Sequence, residues 1–94
     1  MIQVKNNELL RQFEYKTEQE NVTVEYSFQE KKLFLTRLQF SEATEPEVVE
    51  EVMKKIMEVA ENNRWRVVPT KPNIAQFFKK NPTYKELLAP GIRV

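Results

Sequence analysis

Apolar and polar residues alternate through Phe13 and Tyr15, and again through Val22, Val24, Tyr26 and Phe28. A period of two sends successive side chains to opposite faces of an extended chain, so both stretches are predicted as half-buried strands. Glu18-Gln19-Glu20-Asn21 and Gln29-Glu30-Lys31-Lys32 supply the turns that follow them. The next run, Leu33 to Phe40, carries apolar residues at both parities. That pattern predicts a strand covered on both faces and placed centrally in the sheet.

From Glu45 the period lengthens to about 3.6 residues, with Val49, Val52, Met53, Ile56, Met57 and Ala60 on one stripe and Glu50, Glu51, Lys54, Lys55 and Glu58 opposite. The expected element is an amphipathic helix lying on the sheet. Thr44 followed by Glu47 predicts a capping box, Pro46 fits a first turn that needs no donor, and Asn62-Asn63 supplies a stop. Trp65-Arg66-Val67-Val68 then forms a short strand ended by Pro69, so strand, helix and strand make one parallel, right-handed crossover. Pro72 opens a second helix through Ile74, Phe77 and Phe78, and Asn81-Pro82 restarts a turn of helix carrying Tyr84, Leu87 and Leu88. The predicted fold class is α+β, in one domain over residues 1–94. It is a mixed, mostly antiparallel sheet with one long helix crossing between the last two strands and a short C-terminal helical pair.

Composition narrows the chemistry. The chain has no His, no Cys and no Asp, so every acidic side chain is Glu. A thiol nucleophile, a Ser-His-Asp relay, a thiolate or imidazole zinc site and an imidazole base are excluded within one chain. Any catalysis would use Glu, Lys, Tyr, Ser, Thr or backbone groups. No apolar run exceeds three residues, and residues 1–8 lack the apolar stretch of a signal peptide, so no membrane association is expected. The absence of cysteine fits a reducing compartment, and a cytoplasmic location is expected.

The net charge of +1 hides an asymmetry: residues 41–63 carry seven Glu against two Lys, and residues 64–94 carry seven Lys or Arg against one Glu. An adaptor for an acidic partner through Arg64, Arg66, Lys71, Lys79 and Lys80 would predict salt-sensitive binding. With total charge near zero and no glycine-flanked basic motif, a solvated mixed-charge surface is the stronger reading, and nucleic acid is not the expected partner.

Val67-Val68-Pro69-Thr70-Lys71-Pro72, then Phe77, then Asn81-Pro82-Thr83-Tyr84-Lys85-Glu86-Leu87-Leu88, combine a strand end, a double proline, an aromatic and a Pro-x-Tyr at set spacing. In this the chain resembles the short, stand-alone members of the GCN5-related N-acetyltransferase-like (GNAT-like) family, over approximately Val22 to Leu88. The resemblance implies an acetyl-coenzyme A cofactor and attack of a substrate amine on its thioester, with backbone N–H groups near Leu38 and Phe40 polarising the carbonyl. Lys71 would line the entrance, Tyr84 would be the acid by residue type, and Val49 falls within the stretch that corresponds to the phosphate loop. These five are the candidate cofactor-binding residues. Packing is the commoner role for a Tyr at such a spacing, and solvation for a turn lysine, so no residue is assigned as catalytic.

The chain departs from the family at three places. Arg37-Leu38 stands where the third predicted strand commonly ends in His-Thr, and Lys71 where a cysteine is frequent. The phosphate loop, a Gln or Arg followed by alternating glycines, falls on Glu45 to Glu50, whereas the sole glycine is Gly91. Glycines let backbone N–H groups approach a pyrophosphate at a helix start; side chains obstruct that approach, and carboxylates in the first turns are expected to satisfy the helix end themselves. Repulsion is about 0.7 kcal/mol per like-charge pair at about 6 Å in water and about 3 kcal/mol at an effective dielectric of about 20. Several such pairs rival the roughly 8 kcal/mol of micromolar binding. The expectation is therefore a degenerate, non-catalytic GNAT-like domain acting as a binding or interaction module, with no cofactor expected. The alternative is an acetyl-CoA dependent N-acetyltransferase with an atypical grip, since strand backbone can hold the pantetheine arm. Partners reduce to an unidentified protein or small molecule, with monomer and homodimer both allowed by exposed edge strands.

Overall fold

A computed structural model describes residues 2–94. Its elements are β1 (Lys5–Asn7), β2 (Gln12–Lys16), β3 (Asn21–Gln29), β4 (Lys32–Phe40), α1 (Pro46–Asn62), β5 (Arg66–Pro69), α2 (Pro72–Lys80) and a 3₁₀ helix over Pro82–Leu87. The strands form one five-stranded sheet in sequence order. The first four strands are antiparallel neighbours, and β4 pairs β5 in parallel across the α1 connection. The class is α+β with a mixed sheet, as the sequence predicts. No helix among the described residues is long and apolar enough to cross a membrane.

β1 is an addition, because its Lys5-Asn6-Asn7 has no apolar alternation and forms only by pairing with Gln12–Glu14. The β3–β4 hairpin turns on Glu30 (φ 50°) and Lys31 (φ 63°), two consecutive left-handed residues as a tight two-residue turn requires.

The core lies between one face of the sheet and the helices. Phe13, Val22, Val24, Leu33, Leu35 and Val67 meet Val52, Met53, Ile56, Met57 and Ala60 of α1 and Ile74, Phe77 and Phe78 of α2. The predicted helical stripe and the contact stripe therefore coincide, except that Val49 is only half-buried. The opposite face of the sheet is open, with Glu25 and Arg37 paired across it at 3.9 Å.

Two-sided coverage of β4 is thus overturned, and the reason is a bulge. Glu25 pairs with Arg37 but Tyr26 pairs with Leu35, leaving Thr36 as one extra residue in β4. The insertion reverses the parity, so Leu33 and Leu35 before it and Leu38 and Phe40 after it all point to the helix face. Of the apolar residues in this run, Phe34 alone faces the other way. β4 is also next to the edge, between β3 and β5.

The capping box is not formed. The residue capping α1 is Glu45, which makes no side-chain cap hydrogen bond. Thr44 is buried and otherwise engaged: its Oγ1 lies 2.7 Å from Ser41 Oγ and accepts the Asn21 N–H at 3.1 Å. This network ties the start of α1 to the end of β4 and the beginning of β3. The other end of α1 stops at Asn62 as expected, but the left-handed residue that reverses the chain is Arg64 (φ 59°). Arg64 N–H donates to Glu61 O and Trp65 N–H to Ala60 O, the bonding of a Schellman stop.

On the open face, Glu14 accepts hydrogen bonds from the side-chain amides of Gln12 and Asn7. The Gln12 bond holds its carboxyl below the ordinary value of 4.5, opposed by partial desolvation and helped by Asn7, Lys16 and Lys5. A depressed folded value means that the associated stabilisation is complete above the ordinary value and is lost as pH falls through the lower one. Carbon-detected titration of the Glu14 carboxyl should give a midpoint below that of an unfolded reference peptide; an equal or higher midpoint refutes the assignment.

Candidate functional site

β5 ends at Pro69 while β4 continues to Phe40. Thr70 closes the pairing by donating both its N–H (3.1 Å) and its hydroxyl (2.9 Å) to Leu35 O, and Pro72 then opens α2 away from the sheet. Beyond that point a cleft of about 240 Å³ opens between the second half of β4, the start of α1 and one side of α2. Its apolar lining comes from Leu38, Phe40, Pro46, Val49, Met53 and Phe77. Asn73, Gln76 and Lys80 of α2, with Thr44 and Glu50, supply the polar groups. Phe40 is 52% exposed, an unusual value for a large apolar side chain on the helix face.

The bulge also sets which backbone groups reach this cleft. Ser41 N–H donates to Asn21 O at 3.0 Å, so by the alternation of an antiparallel ladder Gln39 and Arg37 direct their N–H and C=O groups to β3. Leu38 and Phe40 direct theirs outward, where among the described residues no strand lies alongside. The Leu38 carbonyl has Asn73 Nδ2 at 3.5 Å, the limit of a hydrogen bond.

At the Phe40 end, the start of α1 offers few donors. Pro46 at the first helical positions has no N–H, and the Glu45 N–H points to Glu20 Oε2 at 3.4 Å. The carboxylates of the α1 segment thus do not satisfy the helix end themselves; the nearest one to do so comes from the β2–β3 turn. Glu20, Glu45, Glu47 and Glu50 take part in no ion pair among the described residues. Glu50 accepts a hydrogen bond from Asn81 Nδ2 at 3.3 Å, and the same nitrogen donates to Phe77 O at 3.0 Å. That bridge fixes the end of α2 against α1 and holds the two walls of the cleft together.

Of the five residues expected at the site, Leu38, Phe40 and Val49 come together on its walls. Lys71 is exposed at the cap of α2, where its carbonyl accepts the Ile74 and Ala75 N–H groups. Tyr84 is packed on the Phe77 ring, with centroids 5.4 Å apart, and neither Lys71 nor Tyr84 lines the cleft. Sequence reasoning did not pick out Met53, Asn73 or Gln76 as site residues, and it named Lys80 only among the cations of the acidic-partner reading. The α2 positions show no apolar period that marks a site, and Met53 reads as core. Among the described residues no group of three His, Cys, Asp or Glu side chains is arranged to hold a metal.

No family model matches the sequence, and comparison with curated proteins gives no match.

Proposed function

We propose that this chain is a degenerate GNAT-like domain whose cleft beside β4 serves binding rather than acetyl transfer. The observation that carries the reading is the start of α1: a proline without an N–H, no glycine, and the carboxylates of Glu20, Glu45, Glu47 and Glu50, none of them in an ion pair among the described residues. A coenzyme seated along β4 would bring its pyrophosphate to that terminus, into like charge, where Pro46 has no N–H and the Val48 and Val49 N–H groups already bond Glu45 O. The acidic and basic side chains of the cleft lining are Glu50 and Lys80.

The free N–H groups of Leu38 and Phe40 favour the second reading, an acetyl-CoA dependent N-acetyltransferase that holds its cofactor by strand backbone alone. Calorimetric titration of acetyl-CoA into the purified protein separates the two. The expected result is no saturable heat at micromolar concentration. Saturable micromolar binding, with amide shifts at Leu38 and Phe40, would establish the second reading instead.

A further inference from the structure

The geometry points to one class of occupant for this cleft: an extended peptide that adds as a strand to the free edge of β4 at Leu38–Phe40 and sets an arginine beside the carboxylates at the start of α1. The inference rests on the binding-module reading and names its partner.

Three features converge on it. The outward N–H and C=O groups of Leu38 and Phe40 are the ladder groups that a neighbouring strand would use, and among the described residues they have no strand partner because β5 stops at Pro69. The other two edges of the sheet are less suitable. β1 is three residues long and exposes Lys5, while the outer side of β5 is already engaged by Leu88 and by the Ala89 N–H on Val67 O at 3.0 Å. The Asn73 amide is the one group a new strand would displace from the Leu38 carbonyl.

Beneath that edge the floor is apolar, with Phe40, Val49, Met53 and Phe77 ready to cover alternate side chains of an extended segment. Leu38 to Phe40 spans about 7 Å, so a peptide of about five residues covers the edge and reaches the α1 start.

Charge decides the end group. Glu45, Glu47 and Glu50 belong to that start, Glu20 reaches it, and none has an ion-pair partner among the described residues, so the complementary group is cationic. Arginine fits better than lysine, because a planar fork with five donors can span two carboxylates. A polyphosphate meets the opposite conditions. Lys80 lies on the α2 wall and is the single cation of the lining.

The test uses the full ¹⁵N-labelled chain and two blocked peptides of opposite direction, acetyl-Arg-Val-Thr-Val-Thr-amide and acetyl-Thr-Val-Thr-Val-Arg-amide. One of the two is expected to saturate, shifting the Leu38 and Phe40 amide signals and slowing their hydrogen exchange at least tenfold. N-methylation of the peptide amides that face β4 should weaken binding at least tenfold, and so should Arg→Glu in the peptide, the latter effect shrinking with added salt. Failure of both peptides to saturate, equal binding of the N-methylated peptide, or shifts confined to other residues would overturn the proposal. A parallel acetyl-CoA titration tells the two failures apart. If the coenzyme binds, the underlying reading falls and the proposal with it; if coenzyme and peptides are both silent, the strand-addition proposal alone falls.

Discussion

Replacing Phe78 with alanine is expected to destabilise the fold by about 3–5 kcal/mol. Phe78 is fully buried on α2, edge-on to Phe77 with ring centroids 5.4 Å apart, and it is among the largest side chains in the core. Removing the ring forfeits its transfer free energy and leaves a cavity that two helices and a sheet cannot fully close. A domain of this length has a total stability on the order of 5–14 kcal/mol, so the loss is about a fifth of it or more. Urea unfolding followed by circular dichroism should show the midpoint falling while the slope stays constant. A change under about 1 kcal/mol would mean that α2 does not dock as described, and the cleft wall it forms would go with it.

Two single-residue deletions in β4 are expected to differ by roughly 2–5 kcal/mol, although both shorten the same strand. Deleting Thr36 removes the bulged residue, and Leu33, Leu35, Leu38 and Phe40 remain on the helix face of a regular strand. Deleting Phe34 instead turns Leu35 outward and drives the hydroxyl of Thr36 into its place in the core, where Leu35 is fully buried. It also breaks the pairing of Phe34 with Val68, whereas Thr36 lies beyond the β4–β5 ladder. Paired urea titrations would check this, with the Thr36 deletion the more stable. Equal stability, or the reverse order, would show that the bulge is not where the register change puts it. Because a bulge bends its strand, the Thr36 deletion should also draw β4 toward the line of β5 and narrow the cleft, so that peptide binding falls while the fold survives.

The helices were legible because their signals are local. The stripe from Val52 to Ala60, the proline at the start and the asparagines at the end belong to one stretch of chain, and the structure reproduces them. The strand alternation through Val22 and Val24 is local in the same sense. Thr44 was misread because the residue types of a capping box do not reveal that its hydroxyl is claimed by Asn21, 23 positions earlier. The candidate site was half legible. Leu38, Phe40 and Val49 were reached through resemblance and meet at the cleft, whereas Lys71 and Tyr84 share the C-terminal motif without sharing the cavity.

The amino-acid sequence by itself determined the element types from β2 onward, the parallel crossover around one long amphipathic helix, and a chemistry without histidine, cysteine or aspartate. Only the tertiary structure decided that Leu38 and Phe40 share a face with Leu33 and Leu35, since a bulge is defined by the register against β3 and not by the run itself. It also decided where β5 stops relative to β4. That difference in length bares two residues of backbone beside an apolar hollow, and a hollow is a property of surfaces that meet from distant parts of the chain.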